Sequence, residues 1–133
     1  MNEKTEKEII ALYIAERKAE RILYELLHPK KREQCIWTLS RYFRDNVKTR
    51  IDKHQATTQE IVRQMRDCGY ENERCYLLSV DPTVDGTERS LPEALTIADN
   101  ASPMLVYSPA HKLAYWQGEE NLSDTERMIL RQG

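Results

Sequence analysis

Trp37, Arg41, Arg44 and Lys48 recur at spacings of four, three and four, which on a helix sets an indole and three cations in one row. An exposed indole gives up hydrated apolar surface when covered, and the cations offer directed donors to carboxylate or phosphate, so the row has the composition of a contact hot spot. Two recipients fit it. One is the carboxylates of a protein partner or of the acidic second half of this chain. The other is single-stranded nucleic acid, whose bases stack on aromatic rings while cations follow the phosphates. A solvated basic helix face with Trp37 tucked under a neighbouring helix has the same composition.

A second, weaker candidate is His54 with Thr57 and Thr58, just ahead of a helix start, where free amides and the helix dipole favour an anion or small ligand. The simpler role for Thr57 is to cap that helix. Cys35, Cys68 and Cys75 form no CxxC pair, and His28, His54 and His111 lie far apart, so neither a disulfide framework nor a zinc knuckle is indicated. Free cysteine packs as a small hydrophobe. Glu119 with Glu120, and Asp81 with Asp85, read as solvated loop carboxylates rather than metal ligands, and no serine sits in a nucleophile-elbow motif. No catalytic residue, metal or cofactor is therefore assigned.

The elements that must carry these residues begin with a charge-rich segment, 3–28, that has no Gly or Pro before Pro29 and reads as one helix. Ile9, Leu12, Ala19, Leu23 and Leu26 make one apolar stripe, and Ile10, Tyr13, Ile14 and Tyr24 a second beside it. A helix apolar on two flanks needs two surfaces, the rest of the domain and a second copy of this helix, which predicts a homodimer; a single broad contact within the chain is the alternative. Pro29 opens a second helix whose buried row is Ile36, Leu39, Phe43 and Val47, facing Trp37 and its cations outward. Over 46–52 the alternation of Val47, Thr49 and Ile51 with charged residues fits a strand, while helical spacing also runs through Ile51. The strand is the reading taken.

Thr57-Thr58-Gln59-Glu60 is a capping box that starts a helix over about 57–68, and Gly69 ends it. Tyr76 to Val80 is almost continuously apolar, as an interior strand is. Residues 83–89 read as loop, Ser90 caps a helix with Pro92 in its first turn, and Met104 to Tyr107 and Leu113 to Trp116 form a hairpin. Ser123 and Glu126 form a capping box for a last helix over 124–132.

Composition bounds the rest. The 133 residues suit one core, and 40% hydrophobic with 32% charged residues is ordinary for a folded domain. Net charge is −2, but 30–53 carries eight Lys or Arg against three acids while 71–133 carries five against eleven. No apolar run approaches the ~20 residues of a membrane helix, and residues 1–20 show no secretory core, so no membrane association and a cytoplasmic location are expected.

Strand, helix, strand, helix, strand, strand, helix, with Ser102-Pro103 directly before Met104-Leu105-Val106-Tyr107, resembles the thioredoxin fold, in which the proline that leads this strand is cis. Gly118 through Leu130 resembles the end of the KaiB clock-protein family. The resemblance covers 47–132. Where thioredoxins carry CxxC this chain reads Asp52-Lys53-His54-Gln55-Ala56-Thr57-Thr58, so no thiolate is available for the family's redox chemistry. The fold class expected is α+β (α/β), a thioredoxin-like domain over 46–133 behind a helical hairpin over 1–45, the two packed as one unit. The function expected is non-catalytic, through protein–protein interaction, with a nucleic-acid-binding accessory role and an enzyme at the turn over 54–58 as the alternatives.

Overall fold

The computed structural model describes residues 2–119 and 125–132. Its centre is a six-stranded sheet in the order β1-β6-β5-β4-β2-β3, with every neighbouring pair antiparallel. The strands are β1 (Lys48–Arg50), β2 (Arg74–Ser79), β3 (Glu88–Ser90), β4 (Met104–Ser108), β5 (Leu113–Gln117) and β6 (Arg127–Arg131). Helices α1 (Glu3–Tyr13), α2 (Glu16–Leu27) and α3 (Arg32–Thr38) cover one face, and α4 (Thr58–Asp67) and α5 (Leu91–Ala101) the other. The class is α+β, as expected.

The period-two alternation of side chains divides each interior strand between two cores. Tyr76, Leu78, Leu105, Tyr107, Trp116 and Leu130 pack with α1 to α3. Cys75, Leu77, Val106, Tyr115 and Ile129 pack with α4 and α5. Burial on both faces is why these strands are apolar at nearly every position. The β4–β5 hairpin pairs Leu105 with Trp116 and Tyr107 with Ala114, Thr57 caps α4 and Ser90 caps α5, as the residues indicated, and the Ser102–Pro103 bond is cis.

Four elements differ from expectation. The helix over 3–28 is two helices, broken at Ile14, whose extended backbone pairs with Phe43. Ala15 donates to the Tyr42 carbonyl and Arg44 to the Tyr13 carbonyl, both at 2.8 Å. An unbroken helix would run about 39 Å, more than twice the roughly 17 Å of a five-residue strand; turning at Ile14 lays both halves on one sheet face. Both apolar stripes are thereby largely consumed inside the chain, and the ground for expecting a second copy goes with them. The second helix ends at Thr38 and gives way to 3-10 turns at Leu39–Tyr42 and Asp45–Val47, because Phe43 leaves the helix to meet Ile14. The loop over 83–89 includes the start of β3, paired with β2. The last helix is instead β6, which pairs with β5 over its whole length and buries Met128, Ile129 and Leu130. Ser123 lies outside the described residues. The last described element is thus a strand where a helix was expected. Among the described residues no helix is long and apolar enough to cross a membrane.

Polar ties fix the first helical layer to the sheet. Arg32 on α3 bonds both oxygens of Glu6 on α1, at 2.6 and 2.8 Å, and both oxygens of Asp85, at 2.6 and 3.0 Å. Glu6 also accepts from the Tyr76 hydroxyl on β2. Two residues further along α1, Glu8 accepts from the Tyr107 hydroxyl and pairs with Lys112 at 2.8 Å. Lys112 and then Tyr107 hold the Glu8 carboxyl below its ordinary value.

Removing Arg32 strands two carboxylates that are nearly excluded from water. Arg32→Ala should therefore cost about 3–5 kcal/mol in urea denaturation, far more than Arg41→Ala. Because folding lowers the Glu8 pKa, the anion's contribution is complete above pH 4.5, its unfolded value, and fades as pH falls through the lower folded value. Urea midpoints against pH should fall below pH 4.5 more steeply in the wild type than in Glu8→Gln.

Candidate functional site

The four residues of the proposed basic row do not share a helix. Trp37 occupies the last turn of α3 and is 38% exposed, with Cys35 and Ile36 beside it buried. Arg41 stands exposed in the following 3-10 turn. Arg44 is turned inward: its Nε donates to the Ile14 carbonyl at 2.9 Å and its Nη2 to the Ala11 carbonyl at 3.0 Å. These are carbonyls at the C-terminal end of α1, where a cation meets the negative end of the helix dipole. Lys48, on β1, pairs with the exposed Asp45 at 3.3 Å, a surface ion pair of small energetic weight. Of the row, Trp37 and Arg41 are exposed and carry no side-chain hydrogen bond or ion pair found among the described residues.

The structure adds a residue that the sequence reading had assigned to an apolar stripe. Tyr24 on α2 is 58% exposed. Its ring centroid lies 5.8 Å from that of His28 and 5.2 Å from the Lys31 ammonium, and the Arg21 guanidinium lies 5.4 Å from the Tyr42 centroid. Cations over aromatic faces hold such rings in place without covering them. The sequence signal was present in Arg21, Tyr24 and His28, spaced at three and four, once the helix is known to break before them.

At the turn over 54–58, Thr57 Oγ1 accepts from the Glu60 amide at 3.1 Å, so it serves as the cap. The Glu60 carboxylate goes to Arg63 instead of returning to Thr57. Asp52 Oδ1 accepts from the His54 amide at 3.0 Å, which places a carboxylate in the same turn and works against an anion there. Thr58 and the His54 ring are exposed. The turn brings these three residues together without converging their side chains on a common point.

Ser108, Glu73 and His111 do meet, yet in the wrong order for acyl transfer. Ser108 Oγ donates to Glu73 Oε1, and His111 Nε2 is 3.5 Å from that same oxygen. A nucleophilic serine needs the imidazole between itself and the acid, whereas here the carboxylate intervenes and Ser108 is fully buried. Asp85 is committed to Arg32, and Asp81 accepts from the Thr83 amide and hydroxyl, which lower its pKa. Glu119 is exposed, and Glu120 lies outside the described residues. Among the described residues no three His, Cys, Asp or Glu side chains converge as a metal set.

Burial pushes the Cys35 and Cys75 thiols up to about 12. Cys35 also donates weakly to the Ile22 carbonyl at 3.6 Å. Cys68, at the end of α4, is the half-buried one. Tyr24 on α2 and Trp37 on α3 thus stand exposed, with cations held against the neighbouring rings of Tyr24 and Tyr42. No protein-family model, curated protein or solved structure matches this chain.

Thiol accessibility gives a direct check. At neutral pH a maleimide should label Cys68 first, while Cys35 and Cys75 should react only as the protein unfolds. Peptide mapping of labelled native and urea-treated protein reads the order.

Proposed function

We propose that the protein acts without catalysis, by binding the acidic surface of a protein partner through α2, α3 and the turn that follows. The observation that carries this is the exposure of Tyr24 and Trp37. Among the described residues these are the large hydrophobic side chains left exposed, and both fall on the same helical pair. Lys31 lies over the Tyr24 ring, and Lys30 and Arg41, also exposed, belong to the same segment with the chain's excess of positive charge. Aromatic anchors with neighbouring cations are what a carboxylate-rich surface meets well. A cytoplasmic setting belongs to the same reading.

Nucleic acid draws on the same cations, but a track for phosphates needs several free ones in line. Arg44 is spent on α1 carbonyls and Lys48 faces Asp45, which favours the protein partner.

Tyr24→Ala, Trp37→Ala and Arg41→Ala should each leave thermal stability within about 1 kcal/mol of wild type. The double variant Trp37→Ala with Tyr24→Ala should weaken binding to the purified partner by about 2 kcal/mol or more in calorimetry. A loss of about 3–5 kcal/mol on Trp37→Ala, the cost of removing a core aromatic, would show Trp37 to be core and sink the proposal. So would unchanged partner binding, or tighter retention on oligonucleotide than on any protein.

A further inference from the structure

The bend between α1 and α2 is imposed from outside the segment that bends. Residues 3–27 contain neither Gly nor Pro and are rich in strong helix formers, so their local preference is one continuous helix. Yet Ile14 (φ −92°, ψ 141°) and Ala15 (φ −52°, ψ 129°) are extended. The segment over 42–44 serves both sides of the bend. Tyr42 O accepts from the Ala15 amide, the Arg44 amide donates to Tyr13 O, and the Arg44 guanidinium donates to the carbonyls of Ala11 and Ile14. On the α2 side the bend leaves a deficit, because Ala15 at the N-cap brings no side-chain acceptor to the first-turn amides. A helix running on through the junction would give those amides carbonyls four residues back.

Among the described residues, α1 is joined to the other elements through this junction alone. Its seat is well defined. Ile9, Ile10 and Tyr13 enter the core beneath it, Glu6 meets Arg32 and Tyr76, and Glu8 meets Tyr107 and Lys112. None of these contacts requires that α1 and its seat belong to one chain.

We propose that the junction is a hinge for domain swapping, in which α1 and α2 fuse through Ile14 and Ala15 and the α1 of each of two copies fills the seat in the other. Straightening parts α1 from α2, so α1 leaves its own sheet. Glu6 of one protomer then meets Arg32 of its partner, and every contact of α1 is remade across the dimer. The ties to 42–44 favour the bent monomer at low concentration, while helix continuity and mass action favour the dimer as concentration rises. No new apolar interface is needed, in contrast to a dimer built on a spare helix stripe. Tyr24 and Trp37 stay on α2 and α3, so the hinge stands or falls apart from the partner-binding surface.

The test mixes unlabelled and heavy-isotope-labelled wild-type protein, refolds them together at high concentration and separates the products by size. Carbodiimide then joins Glu8 to Lys112, whose charged groups are 2.8 Å apart. In the dimer fraction about half of the joined peptides should combine the two isotopes, as random pairing of chains requires; in the monomer none should. Arg44→Ala, which loosens the bend, should strengthen dimerisation about tenfold or more. Glu16→Pro should do the opposite. Proline suits the first position of α2 and the extended Ala15 before it, but in a continuous helix its ring would strike the Leu12 carbonyl. That variant should keep the melting temperature of the wild type and stay monomeric. The proposal is overturned if the wild type forms no dimer under these conditions, or if the dimer's joined peptides carry a single isotope. Dimerisation of Glu16→Pro as readily as the wild type overturns it too, and this comparison holds even where Arg44→Ala fails to fold.

Discussion

The first helical layer sits on its sheet through one guanidinium. Arg32 uses all five of its N–H donors: two reach Glu6, two reach Asp85, and one reaches the Leu26 carbonyl at 2.9 Å. Those acceptors belong to α1, α2 and the connection between β2 and β3, so a single side chain on α3 fixes four segments at once. The surplus negative charge is met by dipoles, the Tyr76 hydroxyl on Glu6 and the Ser79 amide on Asp85 at 3.2 Å. A buried pair left half satisfied is worse than an apolar contact. Here saturation turns the cluster into a device that admits one docking of the helices and rejects displaced ones.

How much of this the sequence discloses depends on whether the deciding partner is near or far along the chain. The cap of α4, the cap of α5 with Pro92 in its first turn, and the β4–β5 hairpin are written in local residues, and the structure has them. The break at Ile14 has no glycine or proline to announce it. It is imposed by Phe43, which lies far along the chain, and the same pairing ends the second helix early. Arg-Met-Ile-Leu-Arg is short enough to be either helix or strand, and the adjacent exposed edge of β5 decides for strand. The buried ion cluster was legible in principle. Glu6 falls on the stripe of Ile9, Ile10 and Tyr13, and Arg32 on that of Cys35, Ile36 and Leu39, so opposite charges interrupt two apolar faces.

The candidate site shows the same division. A spacing of four, three and four places Trp37, Arg41, Arg44 and Lys48 in a row only while one helix persists, and that helix stops at Thr38. Arg44 then becomes part of the α1 terminus, a role no pattern along the second helix could disclose. Trp37 kept its exposure because its phase was set within α3 itself. Tyr24 gained its exposure because the break realigned α2 relative to α1.

The two strands that end the sheet, β1 and β3, are each three residues long, and they read Lys-Thr-Arg and Glu-Arg-Ser. Between them lie β6, β5, β4 and β2, and the apolar runs of the last three would be among the most prone to assemble into fibrils if their backbones were offered to another chain. Short charged borders deny an incoming strand both the length and the neutral surface it needs. Two tripeptides thus guard the ends of the sheet, where the ladder would otherwise offer its backbone to a neighbour.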